Sequence, residues 1–190
     1  GKLIMANKDA PFGFRSVGKK GGGVANGGVT EYEIASGATG NIFSGDPVKM
    51  LNTGTILVAG AATTLLGIFR GCKFTNSSGE VVFSSHYPTQ TTSSDIVAFV
   101  EDDPDTLFEV QCTGSLAQTA VGNNVELAYT SGSTKTGMSA AEISSTTAAT
   151  SAQFRIVGFS TDPSNSTTGS ANVNAIVYIN EHFYTTVTGV

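Results

Sequence analysis

The sequence predicts an all-β protein, an antiparallel sandwich or barrel of about ten short strands with an extended N-terminal arm. Three observations carry that prediction. Only 13% of the 190 residues are charged, too few to solvate the outer faces of long amphipathic helices. Gly supplies 23 residues, and Ser with Thr supplies roughly a quarter of the chain, a balance that suits tight turns. Short apolar runs rich in β-branched and aromatic residues recur between clusters of Gly, Asn, Asp and Pro, which is the punctuation of strands.

The elements follow in chain order. Residues 1–28 read as a basic, Gly-rich arm and residues 29–190 as a single sandwich or barrel domain. Met5-Ala6-Asn7-Lys8-Asp9 reads as a start, which would make residues 1–4 an upstream extension, a cloning remnant or the result of a misplaced start codon, alternatives between which the sequence does not decide. Up to Gly28 there is almost no periodicity, with Pro11, Gly13, Gly18 and Gly21 to Gly23 interrupting any helix or long strand. Residues 30–35 alternate Tyr32 and Ile34 with Glu31 and Glu33, as a half-buried strand should. Residues 47–51 and 55–59 flank Asn52-Thr53-Gly54, a hairpin turn, and residues 65–75 and 80–85 flank Asn76-Ser77-Ser78-Gly79 in the same way. Residues 95–100 and 107–112 are strands separated by Glu101-Asp102-Asp103-Pro104-Asp105, where Pro104 forces a turn. Residues 115–120 allow one helical turn and 139–150 a short helix, although Ser and Thr compete there for the helix hydrogen bonds. Strands at 124–130, 153–160 and 172–181 complete the domain.

A chain of this length can bury a self-sufficient core, so size demands neither disulfide nor metal. The net charge of −5 argues against a general nucleic-acid binder, which needs a dominant basic face. No apolar run approaches the roughly 18 residues of a membrane helix, and the start lacks a signal-peptide pattern, so a soluble, unsecreted protein without a membrane partner is expected. Cys72 and Cys112 lie within apolar segments without CxxC spacing; buried free thiols are the simpler expectation, a disulfide the alternative. The sequons at Asn76 and Asn165 read as turn chemistry.

No reacting constellation stands out, and no cofactor or enzymatic activity is expected. His86 and His182 lack the spacing of a metal pair, no serine sits in a Gly-x-Ser-x-Gly elbow, and the glycines of the arm lack the Gly-Lys-Ser/Thr ending of a phosphate loop. Asp102, Asp103 and Asp105 read as a solvated acidic turn, with a calcium site as the alternative.

The arm is the informative segment. Five of the ten basic residues lie in the first twenty positions, opposed only by Asp9, so this stretch carries +4 and the remainder −9. Phe12 and Phe14 bracket Gly13 and precede Arg15, presenting two aromatic anchors and a cation on one side of an extended backbone. Aromatic and Arg residues concentrate binding energy. Lys8, Phe12, Phe14, Arg15, Lys19 and Lys20 are therefore the expected partner-binding residues. The alternative is that both Phe rings pack into the chain's own body.

Several segments resemble the small virion proteins of tailed bacteriophages of the marine and cyanobacterial type. They are residues 5–15 (Met-Ala-Asn-Lys-Asp-Ala-Pro-Phe-Gly-Phe-Arg), 33–37 (Glu-Ile-Ala-Ser-Gly), 42–48 (Ile-Phe-Ser-Gly-Asp-Pro-Val), 67–72 (Gly-Ile-Phe-Arg-Gly-Cys), 95–104 and the closing Glu181-His182. The resemblance implies a capsid decoration or cement protein on the outer surface of the virion. Its partners would be the major capsid protein of the same phage and further copies of itself in a homotrimer. It assigns chemistry to no residue. Residues 16–20, 25–29 and 131–151 depart from the pattern. The competing expectations are a tail, neck or head-fibre component of the virion, or a β module binding host-surface glycans. A clamp built on the arm predicts that removing residues 1–23 abolishes capsid binding and leaves the fold intact.

Overall fold

A computed structural model of the chain describes residues 6–186 and 189. Its strands in chain order are β1 (Arg15–Lys19), β2 (Thr30–Glu33), β3 (Ile42–Phe43), β4 (Pro47–Met50), β5 (Ile56–Val58), β6 (Gly67–Thr75) and β7 (Val81–Ser84). There follow β8 (His86–Tyr87), β9 (Val97–Glu101), β10 (Thr106–Gln111), β11 (Asn124–Ala128), β12 (Glu142–Ala148), β13 (Phe154–Phe159) and β14 (Asn174–Ile179). Among the described residues there is no α-helix, only 3₁₀ turns at Gln118–Ala120 and Phe183–Thr185. The expected all-β class holds, and the architecture is a sandwich with no closed barrel.

The first six-stranded sheet runs β1-β10-β14-β13-β11-β12. The second runs β2-β9-β6-β4-β5, with β7 also paired to β6, and β3 with β8 forms a two-stranded ribbon. Pairing within these sheets is antiparallel. One apolar cluster lies against the first sheet and contains Phe108, Val110, Phe154, Ile156 and Val177, joined by Ala59, Leu65 and Ile68 from the other sheet's side. A second cluster holds Ile42, Val48, Phe69, Cys72, Tyr87, Ala98 and Val100.

Strand β6 serves both clusters through the alternation of Ile68 and Phe69, and it is bulged just beyond them. Its register against β9 shifts between Phe69 and Gly71, so Arg70 is an extra residue and Cys72 and Phe74 stay on the face of Phe69. Ile68 and Arg70 turn the other way, toward the first sheet, where the Arg70 guanidinium donates to the Phe14 carbonyl at 2.9 Å. Further along that side come Lys73 and Thr75, whose neighbours Val81 and Phe83 reach solvent.

The structure corrects the sequence reading at three places. The arm is not free along its length: residues 15–19 form β1, an edge strand pairing Arg15 with Glu109 and Lys19 with Thr106. Residues 142–148, considered for a helix, form β12, which buries Ile143 beside the buried Ala141; their Ser and Thr residues suit a strand with one solvated face. The ribbon of β3 and β8 has no clear sequence signal, since each strand is two residues long. Residues 1–5, including the expected start at Met5, lie outside the described residues. Cys72 and Cys112 are both free and buried, one in each apolar cluster.

Candidate interaction surface

The six expected partner-binding residues do not form one exposed surface. Phe14 is 1% exposed, stacked on Phe154 at 4.6 Å and edge-on to Phe108. It is a core residue and not an intersubunit anchor. Phe12 is half-buried beneath Arg15, whose guanidinium carbon sits 4.9 Å from the ring centroid. Arg15 pairs with Glu109, Lys19 with Asp103, and Lys20 with Asp105 at 3.1 Å; the Lys20 ammonium also stands 4.4 Å from the Tyr178 ring centroid. Lys8 alone of the six projects an exposed cation with no partner of its own among the described residues. Three of the arm's cations thus complement acids of the body to which it is joined. Opposite charges on one chain find each other at high effective concentration.

Buried amides stitch the preceding residues down. Gln111 is 1% exposed and uses both ends of its amide: Nε2 donates to the Lys8 carbonyl at 2.9 Å, and Oε1 accepts from the Ala10 amide at 3.0 Å. Asn165 Nδ2 donates to the same Lys8 carbonyl at 2.8 Å and to the Asn172 carbonyl at 2.7 Å. Asn7 exchanges hydrogen bonds with the Thr167 backbone in both directions. At the root, the Phe14 amide donates to the Gly45 carbonyl at 3.0 Å. Gly13 has φ +75°, and a Cβ there would lie 2.5 Å from that of Ser139, so the close approach needs glycine. Below it, Asp46 is fully buried and accepts from the Phe43 amide, Ser139 Oγ and Tyr129 Oη. Burial raises its pKa against those hydrogen bonds. Glu109 on β10 is desolvated too, but donors from Arg15, Ser160 and Asn174 hold it below the usual carboxylate range.

The acidic tip between β9 and β10 is a hub for distant segments. Asp102 accepts from Thr30 Oγ1 at 3.0 Å and Tyr32 Oη at 2.6 Å, and Tyr32 Oη lies 2.5 Å from Tyr184 Oη. Asp103 takes Lys19 and the Asp105 amide, which together lower its pKa. The tip's carboxylates therefore hold the arm and β2, and the Tyr32 hydroxyl carries the link on to Tyr184. Among the described residues no group of three His, Cys, Asp or Glu side chains could hold a metal ion. His182 packs into the same hub, fully buried. Its Nδ1 accepts from the Tyr184 amide at 3.1 Å, while among the described residues Nε2 has no partner within hydrogen-bond geometry. Burial lowers its pKa, against the opposing pull of Asp102 and Asp103. His86 lies elsewhere, its ring stacked 5.7 Å from that of Phe43.

The surface that sequence reasoning missed is on the second sheet. Lys73 is registered with both Phe83 and Val97, Thr75 with Val81, Gly71 with Phe99, and Glu31 with Phe99. Directly opposed residues share a face, so Val81, Phe83, Val97 and Phe99 share one face around the Lys73 stem. Phe83 is 72% exposed and Val81 63%. The rings of Phe83 and Phe99 lie parallel, 6.5 Å apart, with the Lys73 ammonium 5.8 Å from Phe99 and 3.1 Å from Glu31. Glu31, Glu33, Glu80 and Asp95 are exposed around it. Asp95 is kept ionised by donors from Ser93 and Thr75, which pull its pKa down to about 2. The arrangement is an apolar strip with an acidic rim, suited to gripping a protein surface by contact. The sequence signal was present in Val81-Val82-Phe83, where apolar residues occupy both faces of a strand.

The fold is an antiparallel β-sandwich of two six-stranded sheets, and on its second sheet Phe83 is the most exposed large hydrophobic side chain after Val24 among the described residues. No family model matches the chain, and comparisons with the curated proteins and with the solved structures gave no match.

Proposed function

We propose that this protein is a structural component of a tailed-phage virion that binds the outside of the major capsid shell and reinforces the junctions between capsomers. The observation that carries the reading is the open face bearing Val81, Phe83 and Phe99. A sheet face that leaves Phe83 and Val81 in solvent beside a half-buried Phe99 gains free energy when a second surface covers it. The virion context comes from the resemblance of the sequence segments, and the acidic rim favours a basic patch on the capsid protein. In this reading the grip lies on the second sheet rather than on the arm, where Arg15, Lys19 and Lys20 are already paired within the chain. Many copies of one modest contact on a lattice add through avidity, and a protein that binds only the assembled shell stabilises it.

The test is addition of the purified chain to expanded capsids. Stoichiometric, saturable binding that raises the heat resistance of the shell supports the reading, and Phe83→Lys should weaken it by more than tenfold. Absence of saturable binding by the unaltered chain sinks the capsid reading, and hits on a glycan array would replace it with a host-surface role.

A further inference from the structure

We infer that two copies of this chain associate through the free edge of β7, pairing antiparallel about a two-fold axis at Val82. Among the described residues strand β7 has one neighbour, β6. The hairpin closes with the Asn76 amide donating to the Glu80 carbonyl. Hydrogen-bonded and non-bonded pairs alternate along an antiparallel ladder. Val82 and Ser84 therefore bond to β6, while the amides and carbonyls of Val81 and Phe83 point away from the sheet. Among the described residues none of those four groups has a partner.

Other edges of the molecule are guarded. Strand β1 carries Arg15 and Lys19 and a register shift between Ser16 and Gly18. Strand β2 carries Glu31 and Glu33, strand β12 begins with Glu142 and has a register shift in its pairing, and β5 is three residues long and partly or wholly buried. Charges, bulges and shortness are the devices that stop edges from pairing. Val81–Ser84 has no charge and no proline, and its pairing with β6 has no register shift.

The second copy is the occupant that fits. In the two-fold register, Val81 of one copy opposes Phe83 of the other, so the four outward main-chain groups of each are satisfied reciprocally. The side-chain pairs so formed are β-branched with aromatic, a favourable cross-strand combination. Glu80 falls opposite Ser84, and no like charges meet. Along each cross-strand row Lys73 of one copy lies on the far side of the apolar centre from Asp95 of the other, which alternates the charge. The contact is isologous and thus separate from any three-fold association. It leaves the faces of Phe83 and Phe99 outward, doubling the open strip rather than covering it. A strand pair this short buries less than the roughly 1,000 Å² of a durable interface, so association is weak and rises with concentration.

Val82→Cys provides the decisive test. The two Val82 positions form a non-hydrogen-bonded pair with Cα atoms ~4.5 Å apart, within disulfide reach. Cys72 and Cys112 are buried and give no background. Under mild oxidation the variant should yield a reducible band at double the 19.4 kDa of the chain, absent from the unaltered protein. In sedimentation, the unaltered chain should shift toward dimer as concentration rises. Val81→Pro, which removes an outward amide and no bond to β6, should stay at monomer mass while unfolding at the same urea midpoint. Failure of Val82→Cys to cross-link, or a self-association unaffected by Val81→Pro in a folded protein, overturns the pairing. Both readouts are made without capsids, so they stand or fall apart from the shell-binding reading.

Discussion

Strands β1 and β7 are both sheet edges held by one neighbour, and they treat solvent in opposite ways. Before β1, Phe14 is sunk into the core; within it, Arg15 and Lys19 are matched to acids of the same chain. Strand β7 keeps its hydrogen bonds to β6 but sends Val81 and Phe83 outward without charged neighbours in the strand. The basic segment is thus the closed edge and the plain apolar one is open. Composition alone points the other way, because a run of cations beside aromatics has the residue types of an interface. What closes β1 is complementarity with the acidic tip and with Glu109, a property of the fold.

The largest effect that could break this contrast comes from Phe14→Ala. Loss of a buried aromatic from a packed cluster should lower stability by about 3–5 kcal/mol, read from urea unfolding. A loss below about 1 kcal/mol would return residues 6–14 to the status of a free arm. Deleting residues 1–23, expected from the sequence to spare the fold, should instead destabilise it, since it removes Phe14 and β1 together.

Gln111→Ala should come next. It leaves the Ala10 amide and the carbonyls of Lys8 and Asn172 short of a partner, at a cost of about 1–3 kcal/mol. Limited proteolysis should then cut within residues 6–12 while the sandwich survives. Unchanged cleavage there would show that Asn165 and Asn7 suffice.

The hub gives a pH dependence. The ordinary pKa of His182 is 6.5, and burial lowers it in the folded state. Its stabilising share is present above pH 6.5 and declines as the pH falls toward the folded value, because the unfolded chain takes up the proton first. The decline reaches at most about 1.4 kcal/mol per pH unit below 6.5. Asp46 has the opposite sign, its raised pKa favouring the folded state on acidification. Urea midpoints between pH 7.5 and 5.5 should fall for the unaltered protein more than for His182→Gln. Equal slopes would remove His182 from the account.

Two small effects sharpen the comparison. Lys19→Ala should cost less than about 1 kcal/mol, because its pair with Asp103 is partly solvated. Phe83→Lys should change stability by no more than about 0.5 kcal/mol, as its ring has little packing to lose. A large loss on Phe83→Lys would mean that β7 is a structural strand rather than an open edge.

Strand segments were legible where periodicity and turn residues agree. The hairpin around residues 76–79 has Asn76 Oδ1 accepting from the Ser78 and Glu80 amides, the chemistry its turn sequence implies. The two-residue strands β3 and β8 and the Ser/Thr-rich β12 were not, because so few residues, or so few apolar ones, carry no period. The site was legible as residue types only. Phe14 has the same local context whether it faces a partner or Phe154, and the sequence names no distance between them.

By itself the sequence determined the all-β class, the positions of ten strand segments, the two buried thiols and the separation of charge along the chain. Each of these follows from neighbours within a few residues. Only the tertiary structure decided that the basic arm is an edge strand bound to its own acids and that β7 is the edge left open. Those outcomes depend on which segments meet across more than ninety residues, as Arg15 meets Glu109, and on the bulge at Arg70 that turns Lys73 and its neighbours to solvent. Pairing and register at that range are set by the packing of whole sheets, which local residue order does not encode.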